Sequence, residues 1–169
     1  HEAGDRRRGA DHRRQRARQI FGVVPVEAVN PANPVTEAKV ELGRLLYFDP
    51  RLSKSQQISC NTCHKLDAFG VDNEATSAGH RGQRGARNSP SVYNAAFHVA
   101  QFWDGRAADV EEQAKGPVLN PVEMAMPDPD HVLTVLRSIP GYAPLFARAF
   151  PGAQDPITYD NFGRAVGAF

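Results

Sequence analysis

The sequence predicts an all-α fold. Apolar residues recur at helical spacing in four separate stretches, while no convincing pair of strands and no internal repeat can be found. With 169 residues, 41% of them hydrophobic and 23% charged, the chain is long and apolar enough to bury a core. One domain, or one domain with an extension, accounts for it. No apolar run approaches the length needed to span a membrane.

The extension is N-terminal and basic. Residues 1–18 carry seven arginines against three acids, a net +4, whereas the other 13 basic and 16 acidic residues give −3. This segment reads as a solvated, mobile arm ahead of a domain at 19–169. A basic run alone is a weak signal for nucleic acid, and no such partner is expected. The arm starts with His1 and has no apolar h-region, so it is neither a signal peptide nor an untouched translation start. A processed or partial chain is expected.

The helices follow in order. Thr36 can cap a first helix with Ala38, Leu42, Leu45 and Leu46 on one face, ended by Asp49-Pro50. Asp128-Pro129 opens a second, with Val132, Val135, Leu136 and Ile139 inward and Pro140-Gly141 as the stop. A short third helix centres on Leu145, Phe146, Ala149 and Phe150, closed by Pro151-Gly152. Thr158 starts a fourth, with Phe162, Ala165, Val166 and Phe169 at helical spacing. Phe169 is an apolar position with no cap after it, so the polypeptide is expected to be cut short there.

One string stands apart from these stripes. Cys60-Asn61-Thr62-Cys63-His64 holds the only two cysteines and ends in a histidine, the C-x-x-C-H attachment signature of c-type haem. On a helical turn, Cys60 and Cys63 sit three apart on one face, with His64 a step further round. Each thiol can add to a haem vinyl group while the imidazole reaches the iron. The competing readings are a disulfide, a zinc half-site and a redox pair. Zinc needs a second Cys or His pair at defined spacing, which is absent, and a redox C-x-x-C expects a βαβ context that the neighbourhood lacks. Covalent haem c implies export in bacteria, hence a periplasmic protein whose signal peptide has been removed.

From the haem motif to residue 127 helical periodicity is poor, and Gly, Asn, Ser and Pro are frequent. The glycines form no phosphate loop. Long loops in compact domains tend to be functional, and these are expected to cover the haem opposite His64. The fold class is therefore a cytochrome c-like helical domain with long loops over a covalent haem.

Several strings in this region occur in the order and spacing of one family. They are Gly79-His80, Arg87-Asn88-Ser89-Pro90, Phe102-Trp103-Asp104-Gly105-Arg106, Gln113-Ala114-Lys115-Gly116-Pro117-Val118 and Glu123-Met124, after Cys60–His64. Over about residues 35–169 the chain closely resembles the N-terminal, peroxidatic domain of bacterial dihaem cytochrome c peroxidases. The resemblance implies a second haem domain with its own C-x-x-C-H, and this sequence has none. Either that domain lies beyond Phe169 or the chain is a single-haem relative.

The resemblance also implies roles. The reaction is reduction of hydrogen peroxide to water with electrons from a small cytochrome c or cupredoxin, passed through the second haem. His64 becomes the proximal ligand. His80 becomes a conditional distal ligand that swings away on partial reduction, and glycines at 79, 82 and 85 suit such a movement. Taken alone, a histidine in a Gly/Arg loop would read as a surface residue. Glu123 becomes the acid–base residue: splitting peroxide requires moving a proton from the inner oxygen to the outer one, which a carboxylate in a dry pocket can do. Gln113 would orient the substrate, and Phe102 would line the distal pocket. Trp103, the only tryptophan, matches an electron relay between haems, though its type alone reads as a core aromatic. Asn88 matches a side-chain ligand of an inter-domain calcium site, weak without the second domain. Met124 and Met126 are expected to pack, His98 and His131 to lie on the surface, and a homodimer is possible for this family.

Two function classes remain open at this point. One is the peroxidase; the other is a bis-His monohaem electron carrier that never binds peroxide. A carrier needs no polar distal pocket, so Glu123 and Gln113 favour the enzyme. The dihaem oxidases of methylamine utilisation resemble this half as well.

Overall fold

The computed structural model describes residues 2–169, with side chains from residue 11 onward. Among the described residues there are seven α-helices and no strand, only isolated bridges at Ala78–Arg84 and Gln101–Ala107. The all-α expectation is met.

The first helix, α1 (Glu2–Phe21), covers the basic arm, whose first ten side chains lie outside the described residues. Residues 11–21 are exposed. Ala, Arg and Gln are strong helix formers, so this helix follows local propensity and has no apolar stripe by which a periodicity search would find it. Among the described residues no helix is long and apolar enough to cross a membrane.

Helix α2 (Glu37–Phe48) starts at Thr36, whose hydroxyl accepts from the Lys39 N–H at 3.3 Å. Its buried face is Lys39, Leu42, Gly43, Leu46 and Tyr47. Leu45, expected inward, is instead exposed. The face is turned because α2 crosses α7 (Tyr159–Ala168) at Gly43, where a Cβ would lie 1.9 Å from the Ala165 carbonyl oxygen. Only glycine allows that approach.

Helix α3 (Cys60–Cys63) is the single turn of the haem motif. Helix α4 (Val110–Leu119) lies in the stretch whose poor periodicity predicts loops. Pro117 is tolerated because it closes the last turn, and Asp109 caps the start by accepting from the Glu112 N–H at 2.8 Å. Helix α5 (Pro129–Ser138) begins as expected, Asp128 accepting from the His131 N–H at 2.7 Å. Helix α6 (Tyr142–Ala149) follows, and Thr158 caps α7.

The core joins Leu42 and Leu46 of α2 with Val118 of α4, Val132 and Leu136 of α5, Phe146 of α6, and Phe162 and Ala165 of α7. Val135, Ile139, Leu145, Phe150 and Val166 are partly buried against it. Phe169, 39% exposed, packs edge-on against Tyr47 with ring centroids 5.4 Å apart. A buried polar knot ties α6 to the end of α2. Asp49 accepts from the Tyr142 hydroxyl at 2.6 Å and from Arg51 through two nitrogens at 2.8 and 2.7 Å. The helical bundle thus makes a fixed floor from which residues 64–109 run out as loops.

Candidate functional site

The haem motif forms a capped turn. The Ser59 N–H donates to the Thr62 hydroxyl at 3.0 Å, and the His64 N–H donates to the Cys60 carbonyl at 3.0 Å. Cys60 and Cys63 are free thiols, so the disulfide reading fails. Among the described residues no cluster of three or more His, Cys, Asp or Glu side chains exists that could make them a zinc site. Burial pushes the Cys60 thiol up to about 12 and the Cys63 thiol in the same direction, so both are held as neutral thiols.

His64 is oriented for ligation. Its Nδ1 lies 3.1 Å from the Pro90 carbonyl and 3.3 Å from that of Gly70. Carbonyls only accept, so Nδ1 carries the proton and Nε2 keeps a lone pair, the usual arrangement of a metal-bound imidazole. Burial lowers the His64 pKa, keeping the ring neutral against the opposing pull of those carbonyls. The Tyr47 hydroxyl donates to the His64 carbonyl and fixes the peptide.

His80 opens a short 3-10 turn, His80–Gly82. Its backbone N–H is shared between the carbonyls of Val122 at 2.9 Å and Glu123 at 2.8 Å. Gly79 makes this possible: a Cβ there would lie 2.0 Å from the Val122 oxygen. The three glycines of the loop therefore differ. Gly79 is pinned by close approach, whereas Gly82, at φ +73°, and Gly85 have open space around them. The His80 Nδ1 is buried and has no hydrogen-bond partner among the described residues.

Glu123 sits in the turn that follows α4. Asn120 donates from Nδ2 to its Oε1 at 2.8 Å. Burial pushes the Glu123 carboxyl above its ordinary range, against the opposing pulls of the Arg106 charge and of Asn120. The Glu123 charge adds slightly to the upward shift of the Cys63 thiol. Met124 and Met126 are buried in the core, and His98 and His131 are exposed.

Phe102 has a left-handed backbone, φ +63°, and lies between two supports. On one side is Gly116 of α4, where a Cβ would be 3.1 Å from the ring; on the other is the Arg106 guanidinium, 3.5 Å from the ring centroid. Asp104 holds Arg106 at 2.8 and 3.0 Å and Arg87 at 2.9 Å. Gln113 lies one turn before Gly116 on α4, half-buried. Trp103 is 63% exposed, and its indole N–H donates to the Asn88 carbonyl at 2.8 Å. The exposed Asn88 donates from Nδ2 to the Glu74 carbonyl at 2.8 Å.

His80 and Glu123 are thus joined directly, while Trp103 and Asn88 form a separate, exposed pair. Asn120 and Tyr47 were not singled out from the sequence, and Arg106 entered only as the last residue of a motif string. Asn120-Pro121 is a turn-initiating dipeptide and could have drawn attention; Tyr47 carries no local signal.

The half-buried pair of free thiols, the oriented His64 and the unpaired buried nitrogen of His80 fit a covalent haem. The sequence model of the di-haem cytochrome c peroxidases matches residues 37–169. The chain belongs to this family. It is 48% identical over 161 residues to the cytochrome c551 peroxidase of Pseudomonas aeruginosa, an alignment covering 95% of this chain and 46% of that protein. It is 43% identical over 138 residues to the methylamine utilization protein MauG of Methylorubrum extorquens, covering 82% of this chain and 38% of the relative. Among solved structures it superimposes on a MauG-like protein associated with microbial copper homeostasis with a TM-score of 0.76 and 30% identity, covering 86% of this chain and 43% of that one. The chain spans less than half the length of these relatives.

Proposed function

We propose that this chain is the peroxide-reducing haem domain of a di-haem cytochrome c peroxidase. The observation that carries the reading is the junction of His80 with Glu123. The backbone N–H of the residue that would occupy the sixth position of the iron is held by the backbone carbonyl of the residue that would move the proton. An electron carrier has no use for a half-buried acid at that place.

Held there, a haem would supply redox-active Lewis-acid chemistry for the net reaction H2O2 + 2 e⁻ + 2 H⁺ giving two H2O. Cys60 and Cys63 tether it, and neutral His64 offers Nε2 to the iron. Glu123 takes a proton from one peroxide oxygen and returns it to the other, so that water leaves. Burial suits it to both steps, because a desolvated carboxyl holds a proton at higher pH than an exposed one. Gln113 offers an amide for orienting the substrate. Phe102, fixed between Gly116 and Arg106, would help to keep water from the substrate. His80 leaves its position by a change at the open glycines 82 and 85, with Gly79 as the fixed end.

A second haem domain supplies the electrons, drawn from a small cytochrome c or cupredoxin in the periplasm, and Trp103 relays them between the domains. Its exposure is consistent with a partner surface. Asn88 contributes one ligand to an inter-domain calcium ion. Calcium takes six to eight oxygens, and one amide oxygen cannot hold it without the second domain. A homodimer of such two-domain subunits completes the reading.

Glu123→Gln in the complete protein tests the assignment. The amide keeps the volume but cannot accept a proton, so peroxide turnover should fall by about 10²–10⁴ with the haem spectrum intact. Turnover within a few-fold of the parent would remove Glu123 from the reaction and favour the electron carrier.

A further inference from the structure

We infer that Asn120 is a positioning residue for Glu123, its side-chain amide holding Oε1 and leaving Oε2 as the oxygen that meets the substrate. This rests on the reading of Glu123 as the proton-moving group, and deepens it by naming what aims that group.

The assignment of the amide is unambiguous. Asn120 Oδ1 accepts from the Val122 N–H at 3.0 Å, and a backbone N–H can only donate. The atom 2.8 Å from Glu123 Oε1 is therefore the nitrogen. The residue itself cannot shift. Its own N–H donates to the Gly116 and Pro117 carbonyls, at 3.1 and 3.3 Å, closing α4. Its carbonyl accepts from the N–H groups of Glu123 at 3.0 Å and Ala125 at 2.9 Å. One residue thus ends the helix, shapes the turn and grips the carboxylate that the turn presents.

The consequence is chemical asymmetry in Glu123. An amide N–H is best satisfied by a carboxylate oxygen, and the hydroxyl oxygen of a neutral acid is a poorer acceptor. The Asn120 contact therefore persists best with Oε1 unprotonated, and the proton belongs on Oε2. The same contact limits rotation about the last side-chain bond, which is otherwise broad for glutamate. The turn gripped in this way also offers the Val122 and Glu123 carbonyls to the His80 N–H. Asn120 therefore aligns the acid and the platform of the conditional ligand together.

Asn120→Asp separates the two duties of the side chain. It keeps an oxygen to accept from Val122, so the turn survives, but it puts a carboxylate where the Nδ2 donor stood, which repels Oε1 instead of holding it. Asn120→Ala removes both. In the complete haem-loaded protein, both variants should lower kcat for peroxide by about 10- to 100-fold, the range expected when a reacting group loses its aim by about an ångström. The KM for the reduced electron donor and the haem absorption spectrum should stay at parental values. Placed in a Glu123→Gln background, either substitution should add less than about threefold, because there is no proton-moving group left to aim.

The outcomes separate cleanly. A loss in Asn120→Ala with parental kcat in Asn120→Asp assigns the residue to the turn alone and overturns the inference. Equal losses in the parental and Glu123→Gln backgrounds also overturn it. If Asn120→Asp fails to bind haem, the Asn120→Ala cycle against Glu123→Gln decides by the same criterion. If Glu123→Gln itself has near-parental turnover, the functional reading fails, and the positioning role fails with it.

Discussion

Gly79→Ala asks whether the His80 loop and the Glu123 turn act as one unit. The added Cβ would fall 2.0 Å from the Val122 oxygen and 2.8 Å from the Glu123 Cα, both backbone atoms that cannot rotate away. Ordinary contact begins near 3.4 Å, so loop and turn must part by about 1.4 Å at the tightest point. Residue 79 has φ at −109°, outside the left-handed region, and the effect expected is that of the close contact. Overpacking of this kind costs about 1–3 kcal/mol, and the shared His80 N–H bond to the turn is lost or lengthened, about 1 kcal/mol more. A displacement of about an ångström at a reacting group costs on the order of 10² in rate. The helical core lies elsewhere, so far-UV circular dichroism and covalent haem content should match the parent. Steady-state peroxide reduction should fall about a hundredfold. Turnover within threefold of the parent, with haem content unchanged, would refute the mechanical link between His80 and Glu123.

His80→Gly removes the conditional ligand, and the fully oxidised complete protein should then show high-spin iron at this haem from the outset; a low-spin spectrum with no added ligand would contradict the assignment. Tyr142→Phe deletes a 2.6 Å hydrogen bond to a buried carboxylate and should cost about 1.5–3 kcal/mol in denaturant unfolding, without change in the haem spectrum. Asp49 gives a pH signature. Burial alone would raise its pKa, but the bonds from Arg51 and Tyr142 outweigh that and hold the carboxyl below its ordinary range. Its contribution is therefore present above the unfolded value of about 4 and lost as pH falls through the lower folded value. Asp49→Asn should lower Tm at neutral pH, and the gap from the parent should close in acid.

The helices that pack were legible because caps and apolar spacing are local. Thr36, Asp128 and Thr158 mark starts that the structure confirms as side-chain caps. Helix α4 was hidden because Gly116-Pro117 imitates a terminator, although Asp109 with Glu112 three residues on is an N-terminal signal. Leu45 was misplaced because the buried face of α2 is set by the crossing at Gly43, which needs α7 to be known. In the site, Cys60, Cys63 and His64 declare themselves by spacing alone. His80 and Glu123 lie 43 positions apart in sequence and meet only through Gly79, so no local pattern joins them. Asn120 was missed for a similar reason: its grip on Glu123 depends on an amide orientation fixed by Val122.

Peroxide reduction itself is tested most directly by electron counting. The complete protein, given a reduced small cytochrome c or cupredoxin and limiting hydrogen peroxide, should oxidise two donor molecules for each peroxide consumed and release no oxygen. Glu123→Gln should abolish most of that consumption while the donor still reduces the protein. Donor oxidation without peroxide consumption, or peroxide loss at the same rate with and without Glu123, would contradict the proposed function.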